Sequence, residues 1–203
     1  MKQFVVSGIG TDVGKTVVSA IVSEALNATY WKPIQAGDLL NSDSIKIKSL
    51  TSSVMVLKEV FQLSQPMSPH AAAEIDSVNI QLKDFKIPQV DSNLIIEGAG
   101  GILVPINNEG LTYADVFEFW NLPVLLVSKH YLGSINHSLM TAEVLKNRGV
   151  KVAGWIFVGE ENKPTESIII SITQIPFIAR IPLVDEVSKN FITEQALKLK
   201  EVL

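Results

Sequence analysis

The stretch Ser7-Gly8-Ile9-Gly10-Thr11-Asp12-Val13-Gly14-Lys15-Thr16 decides the fold of this chain. The apolar run Phe4-Val5-Val6 precedes it, and a segment of small and apolar residues follows it. A strand, a glycine-rich turn and a helix are the context of a phosphate-binding loop, because the glycines let backbone N–H groups close around an anion. In such a loop Lys15 reaches the terminal phosphates and the Thr16 hydroxyl binds Mg²⁺. The stretch therefore predicts a nucleotide site, although five residues rather than the usual four separate its outer glycines.

The composition and the spacing of apolar residues predict the fold class. Apolar residues make up 47% of the 203-residue chain, which is enough for a sizeable core. Apolar runs alternate with stretches of helical spacing, a pattern typical of a parallel sheet covered on both faces. Together with the loop, this pattern predicts an α/β fold. We expect a single-domain P-loop NTPase-like, mostly parallel sheet with helices on both faces, over residues 1–203.

The charge balance and the residue types exclude several classes of protein. A net charge of −4 provides no basic surface, so neither nucleic acid nor a membrane is expected as a partner. The lack of cysteine excludes disulfides and cysteine-ligated zinc. No apolar run reaches the roughly 18 residues of a membrane span, and no signal peptide is visible. We therefore expect a cytoplasmic, reducing environment.

The predicted strands and helices follow from the apolar periodicity. We expect strands at residues 3–7, 29–31, 93–97, 124–128, 151–158 and 177–181. We expect helices at residues 15–26, 71–74, 80–85 and 112–120. Three further helices are expected to begin at 43, at 164 and at about 193, and one is expected to end at about 148. The strand that ends at Glu97 should break at Gly98. Residues 54–63 are ambiguous and fit an edge strand.

Three charged residues lie near the carboxyl edge of the predicted sheet, where open α/β sheets bind ligands. Glu97 ends a buried strand, like the acidic residue that helps to hold Mg²⁺ in phosphate-loop proteins. The small residues Gly98-Ala99-Gly100-Gly101 after it would let a ligand approach the backbone, and an exposed strand-end carboxylate is the alternative. Asp43 begins a helix and Lys32 precedes a proline. From these residues alone, a helix-dipole role for Asp43 and a surface position for Lys32 are equally good explanations.

Two other patterns do not predict a site. Asn162-Lys163-Pro164-Thr165 is similar to the guanine-binding motif of GTPases, but Thr165 stands where that motif requires Asp, which excludes a GTPase. We expect instead a turn with Pro164 at the first helical position. The three histidines lack metal-ligand spacing with any nearby acidic pair, so capping or local hydrogen bonding is expected of them.

Eight sequence segments, each weak by itself, occur in the order seen in dethiobiotin synthetases. They are Gly8-x-x-Thr11-x-Val13-Gly14-Lys15-Thr16, Lys32-Pro33, Asn41-Ser42-Asp43, Pro66-x-Ser68-Pro69-His70, Glu97-Gly98-Ala99-Gly100-Gly101, Leu132-Gly133-x-Ile135-Asn136-His137, Gly154-Trp155 and Ile181-Pro182. The chain resembles that family over nearly its whole length, and the longer phosphate-binding loop is the family's own form.

The resemblance implies an ATP- and Mg²⁺-dependent ring closure in biotin biosynthesis. In that reaction an amine of 7,8-diaminononanoate captures CO₂ as a carbamate, and ATP phosphorylates the carbamate to a carbamic-phosphoric anhydride. The second amine then displaces phosphate and gives the cyclic urea dethiobiotin. The implied cofactors are ATP and Mg²⁺. The implied partners are the diamine, CO₂ or bicarbonate, and a second copy of the chain, because the family works as a homodimer with the substrate between its subunits.

The resemblance also assigns roles to residues of this chain. Lys15 would neutralise phosphate and Lys32 carbamate from opposite sides, with Thr11 close to the reacting groups. The implied Mg²⁺ ligands are Thr16, Asp43 and Glu97. The implied nucleotide-binding residues are Asp12, Val13, Gly14, Lys15, Thr16, Val17, Asp43, Glu97, Gly98, Ala99, Gly100, Gly159, Pro182, Leu183 and Val184. The implied substrate-binding residues are Thr11, Lys32 and Ala36, with the helix start Gly133, Ser134, Ile135 and Asn136 of the other subunit receiving the tail carboxylate.

Two positions depart from the family's pattern. Ala36 stands where many relatives carry a Ser or Thr that contacts the substrate. Val158 stands where the family usually carries the Asn that recognises adenine. Because specificity of this kind comes from paired polar groups, the second departure predicts that nucleotides other than ATP are also used.

Two other functions fit part of the sequence. A related ATP-dependent amide or carbamate ligase would share the loop and the acids, but the segments 66–70 and 132–137 favour the diamine as substrate. A nucleotide-gated switch of the partitioning type would carry a second lysine five residues before Lys15, and that position is Gly10. Such a switch also tends to bind membrane or DNA, and no basic or amphipathic anchor is evident here.

Overall fold

The computed structural model describes all 203 residues as a parallel β-sheet between layers of helices. The strands are β1 Gln3–Gly8, β2 Thr29–Trp31, β3 Ile34–Ala36, β4 Phe61–Leu63, β5 Leu94–Gly101, β6 Val124–Lys129, β7 Val152–Val158 and β8 Phe177–Ile181. The helices are α1 Lys15–Leu26, α2 Asp43–Leu50, α3 Pro69–Ile75, α4 Tyr113–Trp120, α5 Ser134–Asn147, α6 Lys163–Thr173 and α7 Lys189–Lys200, with 3₁₀ turns at Leu39–Asn41 and Leu82–Asp84. The predicted α/β class is confirmed. None of the helices has the length and apolar character that crossing a bilayer requires.

Six strands form one sheet in the order β2-β5-β1-β6-β7-β8, and all neighbouring pairs are parallel. The connection from β1 to β2 runs across the sheet in one direction, and the connections from β5 to β6, β7 and β8 run in the other. Because crossovers between parallel strands are right-handed, α1 lies on one face of the sheet and α4, α5 and α6 lie on the other. In agreement, α7 packs against α1, and α6 against α5. The chain thus leaves β1 and β5 toward opposite faces, which opens a crevice at the point where α/β sheets bind ligands.

The core holds the end of β1 in a fixed place. Val5 and Val6 of β1, and Ile95 and Ile96 of β5, are completely buried. Strands with both faces covered bury consecutive side chains, so the continuous apolar runs fit a sheet between two helical layers. Since β1 lies between β5 and β6, the loop that follows it starts from the middle of the sheet.

Strand β5 continues through the glycines where we expected it to end. The prediction ended this strand at Glu97, but β5 extends to Gly101, which pairs with Gly8 of β1. An ideal Cβ on Gly101 would lie only 3.7 Å from the Cα of Gly10. Strand β5 therefore runs directly beside the backbone of the loop.

Within the ambiguous segment 54–63, only Phe61–Leu63 forms a strand, and it belongs to a second, two-stranded parallel sheet. Strands β3 and β4 pair with Ile34 opposite Phe61, outside the main sheet. Val56 makes only an isolated bridge to Tyr30 of β2. Pro33 separates β2 from β3, and its carbonyl oxygen accepts a hydrogen bond from the N–H of Phe61 at 3.0 Å. The edge-strand interpretation of 54–63 is therefore wrong for the main sheet.

Capping side chains move the starts of two helices. Helix α7 begins at Lys189 rather than near 193, because the Oγ of Ser188 accepts a hydrogen bond from the N–H of Phe191 at 3.2 Å. Helix α6 begins at Lys163, so Pro164 occupies the second helical position rather than the first. The expected helix at 80–85 is a single 3₁₀ turn.

Candidate active site

The loop between β1 and α1 is shaped to hold an anion. Gly14 precedes α1 with φ of +95°, a left-handed conformation that favours glycine. A side chain there would also meet Val158, whose Cγ2 lies 3.3 Å from an ideal Cβ. No side chain caps the first turn of α1. The N–H groups of that turn are therefore available to a phosphate.

The side chain of Lys15 lies across this loop. Its Nζ donates a hydrogen bond to the carbonyl oxygen of Gly10 at 2.7 Å, and the residue is buried. Burial lowers the pKa of Lys15 from 10.5 to about 8, against a raising effect of Glu97 and with a further lowering effect of Lys32. A buried ammonium whose only hydrogen-bond partner is one carbonyl oxygen favours an incoming anion.

Thr16, Asp43 and Glu97 converge on one side of Lys15, and we call them the oxygen cluster. The Oγ1 of Thr16 lies 2.9 Å from Asp43 Oδ1 and 3.0 Å from Glu97 Oε1. A hydroxyl has a single proton, so Thr16 can donate to only one of these carboxylates at a time. The Thr16 hydroxyl therefore cannot satisfy both carboxylates at once.

The ammonium of Lys32 supplies positive charge to the same two carboxylates. Its Nζ donates to Asp43 Oδ2 and lies 3.4 Å from Glu97 Oε1. Burial alone would lower the pKa of Lys32, but the two carboxylates outweigh burial and raise it. Burial alone would raise the pKa of Asp43, but Lys32 outweighs it and the pKa is lowered. Lys32 and Asp43 are thus both charged at neutral pH.

The oxygen cluster fits a Mg²⁺ ion. Mg²⁺ prefers oxygen ligands, and in nucleotide sites it uses one or two protein carboxylates together with phosphate oxygens. The cluster offers one hydroxyl and two carboxylates beside the phosphate-binding loop. Lys32 is a cation already held by both carboxylates, so the pair accepts positive charge at this position. Thr16, Asp43 and Glu97 would hold the ion.

Local hydrogen bonds place Asp43 at the cluster. The Oε1 of the buried Gln35 accepts a hydrogen bond from the N–H of Asp43 at 3.3 Å, while its Nε2 donates to the carbonyl oxygen of Gly37 at 2.9 Å. The Oγ of Ser42 caps α2 by accepting from the N–H of Ile45 at 3.3 Å. Both ends of the Gln35 amide are therefore engaged within the chain, and this residue supports the first turn of α2.

A cavity of about 850 Å³ beside the loop brings most of the predicted site together. The predicted residues that line it are Thr11, Asp12, Gly14, Lys15, Thr16, Val17, Lys32, Ala36, Asp43, Glu97, Ala99 and Gly100. Pro66, Ser68 and Pro69 of the fourth resemblance segment also line it. The cavity thus joins nucleotide-type and substrate-type residues in one space.

Val13 and Gly98 are among the residues of the predicted nucleotide set that lie outside the cavity lining. Val13 is buried, and its Cγ2 lies 2.5 Å from an ideal Cβ on Gly8. An ideal Cβ on Gly98 would lie 3.0 Å from Cζ of Phe117 in the core. Only the backbone groups of Val13 and Gly98 are therefore left for contact with a ligand.

The remaining residues predicted for the nucleotide lie together at the ends of β7 and β8. The N–H of Gly159 donates to the carbonyl oxygen of Ile181 at 2.9 Å. The Cδ1 of Leu183 lies 3.8 Å from an ideal Cβ on Gly159, and Leu183 and Val184 are exposed. Neither these residues nor Pro182 line the cavity, although Val187 of the same segment does.

The residues predicted for the substrate tail are not brought to the cavity of the single chain. Gly133, Ser134, Ile135 and Asn136 form the start of α5, and none of them lines the cavity. No side chain caps this helix start.

The lining also includes six residues that were not predicted for it, which are Gln35, Lys46, Leu50, Met67, Val104 and Val187. The Nζ of Lys46 lies 3.9 Å from Asp43 Oδ1 and 3.3 Å from Asp38 Oδ2. Its position three residues after Asp43 on α2 was a usable signal, because such residues share a helix face. Val104 and Val187 reach the cavity from loops, for which the sequence pattern has no comparable signal.

One histidine makes the local hydrogen bond expected of it, and a second pairs with a residue 36 positions along the chain. Nδ1 of His137 lies 2.7 Å from the hydroxyl of Tyr131. Nε2 of His130 lies 3.0 Å from Oε1 of Glu166, which also accepts hydrogen bonds from Arg180. Neither histidine lines the cavity.

Several known proteins are similar to this chain over nearly its whole length. A family model described as an AAA domain matches residues 2–190. The ATP-dependent dethiobiotin synthetase BioD of Christiangramia forsetii is 49% identical over 204 residues, which cover 100% of this chain and 98% of that protein. Proteins of the same name from Novosphingobium aromaticivorans and Cytophaga hutchinsonii are 44% and 43% identical, over 93% and 98% of this chain and 92% and 97% of their own lengths.

Solved structures share the fold at much lower identity. The septum site-determining protein MinD of Pyrococcus horikoshii, complexed with Mg-ADP, has a TM-score of 0.58 at 14% identity and covers 98% of this chain and 89% of that chain. A ParA family ATPase from Chlorobium tepidum has a TM-score of 0.53 at 13% identity, covering 97% of both chains. These likenesses confirm the P-loop NTPase-like fold and concern the fold alone.

Proposed function

Because the chain belongs to the ATP-dependent dethiobiotin synthetase family, we propose that it forms dethiobiotin from 7,8-diaminononanoate, CO₂ and ATP in biotin biosynthesis. The observation that supports this reaction is a single cavity lined by the phosphate-binding loop, the two buried lysines Lys15 and Lys32, and the oxygen cluster. A phosphate-binding loop by itself would support only nucleotide binding. A second buried ammonium close to the loop is what a carboxylated substrate requires.

The reaction brings two anions together. One amine of the diamine adds to CO₂ and loses a proton, which gives a carbamate. A carbamate oxygen then attacks the γ-phosphorus, the bond to ADP breaks, and a mixed anhydride forms. Attack of the second amine on the carbamoyl carbon expels phosphate and closes the urea ring. Fixed positive charge at the place where these anions meet lowers the barrier, because such charges need no reorganisation during reaction.

The two lysines divide this work in our proposal. Lys15 crosses the loop and binds the transferring phosphoryl group, as the loop lysine does in this class of site. Lys32 is held by Asp43 and Glu97 of the oxygen cluster and neutralises the carbamate. Thr11 lines the same cavity and offers its hydroxyl to the reacting groups. A bound Mg²⁺, held by Thr16, Asp43 and Glu97, would neutralise phosphate charge.

The tail carboxylate of the diamine is proposed to bind a second copy of the chain. The start of α5 has N–H groups without a side-chain cap, and a helix start favours anions. Gly133, Ser134, Ile135 and Asn136 do not line the cavity of their own chain. A homodimer in which each cavity faces the α5 start of the neighbour would complete the site.

Phosphate release tests this function directly. We expect the purified protein to release phosphate from ATP only when both the diamine and bicarbonate are present. Lys15→Ala should reduce that rate by at least about 100-fold, because it removes the charge on the transferring phosphoryl group. Lys48→Ala, which changes an exposed lysine of α2, is the matched control and should keep the full rate. Phosphate release that does not depend on the diamine would contradict the proposal and favour the nucleotide-gated switch.

A further inference from the structure

A buried tyrosine behind the oxygen cluster makes a hydrogen bond that the reaction above does not use. Tyr30 lies in β2 opposite Ile95 of the neighbouring β5, and its exposed fraction is 0%. Its hydroxyl donates to Oε2 of Glu97 at 2.9 Å. Glu97 itself is only 1% exposed. The contact therefore lies inside the core, on the side of Glu97 away from solvent.

The two oxygens of Glu97 face different groups. Oε1 lies 3.0 Å from the hydroxyl of Thr16 and 3.4 Å from Nζ of Lys32. Oε2 receives the hydrogen bond from Tyr30. The terminal torsion of a glutamate side chain is broad, so the carboxylate plane is set by its partners rather than by a rotamer. The hydrogen bond from Tyr30 to Oε2 therefore fixes the plane of the Glu97 carboxylate, and with it the direction in which Oε1 faces Thr16.

We propose that Tyr30 is a positioning residue, which orients Glu97 for the divalent cation that accompanies the nucleotide. The proposal rests on the oxygen cluster being the metal site of the proposed function. Tyr30 acts through Glu97, because the tyrosine does not line the cavity. Removal of a residue that hydrogen-bonds to a metal ligand typically lowers metal affinity by about 10–100-fold.

A neutral donor suits this position better than a charged one. Burial, and then the charge of Glu97, raise the pKa of Tyr30 well above 10. The hydroxyl therefore keeps its proton at neutral pH. It holds Glu97 without adding positive charge, whereas the ammonium of Lys32 competes with a cation for both carboxylates.

Tyr30→Phe tests the role, since phenylalanine keeps the ring and removes only the hydroxyl. The measurement is the affinity for the non-hydrolysable analogue β,γ-imido-ATP, with and without Mn²⁺. We expect the gain in affinity caused by Mn²⁺ to fall by about tenfold or more in the variant, while the metal-free affinity stays unchanged. An unchanged Mn²⁺-dependent gain would overturn the proposal. Equal losses with and without Mn²⁺ would also overturn it, because a purely structural role affects both.

Tyr113→Phe is the matched control. Tyr113 is as deeply buried as Tyr30 and lies in α4, where it packs against Phe117 without a hydrogen bond to Glu97. Its replacement should leave the Mn²⁺-dependent gain at the wild-type value. The assay uses neither diamine nor bicarbonate, so its outcome is independent of whether the proposed substrate is correct.

A measurement on the unchanged protein covers the case in which Tyr30→Phe fails to fold. The chain has only three tyrosines, so labelling tyrosine with ¹³C at Cζ gives three assignable signals. Addition of Mg²⁺ to the complex with the analogue should shift the Tyr30 signal, because Glu97 would be shared between the hydroxyl and the ion. The exposed Tyr131 serves as the internal reference. A Tyr30 signal that does not respond to Mg²⁺ would contradict the proposal.

Discussion

At the scale of single residues, the two site lysines differ through their partners. Lys15 donates to one neutral carbonyl oxygen, and burial lowers its pKa to about 8. Lys32 is held by two carboxylates, and its pKa is raised. The motif around Lys15 was enough to predict its place, because the loop is built from consecutive residues. Lys32 meets Asp43 and Glu97 only through the folding of distant segments, so residue patterns alone left its role open.

Replacement of Lys32 should affect chemistry more than nucleotide binding. Lys32→Ala removes the ammonium that we assign to the carbamate, so kcat should fall by about 100- to 1,000-fold. The dissociation constant of ATP should stay within about threefold of the wild-type value, because Lys15 and the loop still hold the phosphates. Steady-state kinetics and equilibrium binding on the same preparation check this, with Lys48→Ala as the control. An equal loss of ATP affinity would place Lys32 on phosphate instead.

Val158, the last residue of β7, bears on nucleotide choice. Val158 is buried against the loop at Gly14 and has no polar atom to pair with a base. A single net hydrogen bond is worth about 1 kcal/mol, or somewhat less than tenfold in affinity. We therefore expect kcat/KM values for ATP, CTP and GTP to lie within about tenfold of one another.

Val158→Asn provides the matched variant for this prediction. It should raise the preference for ATP over GTP, since the new amide can pair with the base edge of adenine. Parallel kinetics with the three nucleotides measure the change. A strong preference for ATP in the unchanged protein would contradict the role given to Val158.

At the scale of elements, one carboxylate joins the ends of three segments beside the site. Glu166 of α6 accepts hydrogen bonds from Arg180 of β8, and it lies 3.0 Å from Nε2 of His130, directly after β6. It also accepts from the N–H of Asn162 at 3.3 Å. The segment 159–162, which leads from β7 into α6, is thereby tied to both neighbouring strands. The sequence pattern could not predict these hydrogen bonds, because Arg180 and His130 lie 14 and 36 residues away from Glu166 in the chain.

Glu166 should make stability depend on pH in acid. Burial alone would raise the pKa of Glu166, but the hydrogen bonds from Arg180 and His130 outweigh it, and the pKa is lowered below 4.5. A carboxyl with a depressed pKa stabilises the fold above its unfolded-state pKa, and this contribution is lost as the pH falls through the folded-state value. Glu166→Gln should lower the free energy of unfolding by about 1–2 kcal/mol at pH 7, since Arg180 is partly exposed.

Urea unfolding of both proteins between pH 7 and pH 3 measures this effect. The difference between wild type and Glu166→Gln should shrink below about pH 4.5. Glu194→Gln is the control, because Glu194 makes only an exposed ion pair with Lys198 on α7 and should change stability by less than about 0.5 kcal/mol. A constant difference across the whole range would contradict the prediction.

At the scale of the whole molecule, periodicity predicted the class of fold but not its assembly. Apolar runs and helical spacing were enough for the parallel sheet and its two helical layers. The pairing of β5 between β1 and β2 is a tertiary choice that no local pattern encodes, and so is the separate β3–β4 sheet. The same limit explains why Val187 was missed, since it reaches the cavity from a loop through tertiary packing.

The incorporation of labelled CO₂ into a stable ring tests the central claim most directly. The purified protein is incubated with 7,8-diaminononanoate, ¹³C-bicarbonate, Mg²⁺ and ATP, and the products are analysed by mass spectrometry after acid treatment, which destroys free carbamates. We expect an acid-stable cyclic urea that carries one ¹³C, formed together with one ADP and one phosphate. ADP formation without a labelled, acid-stable product would contradict the claim.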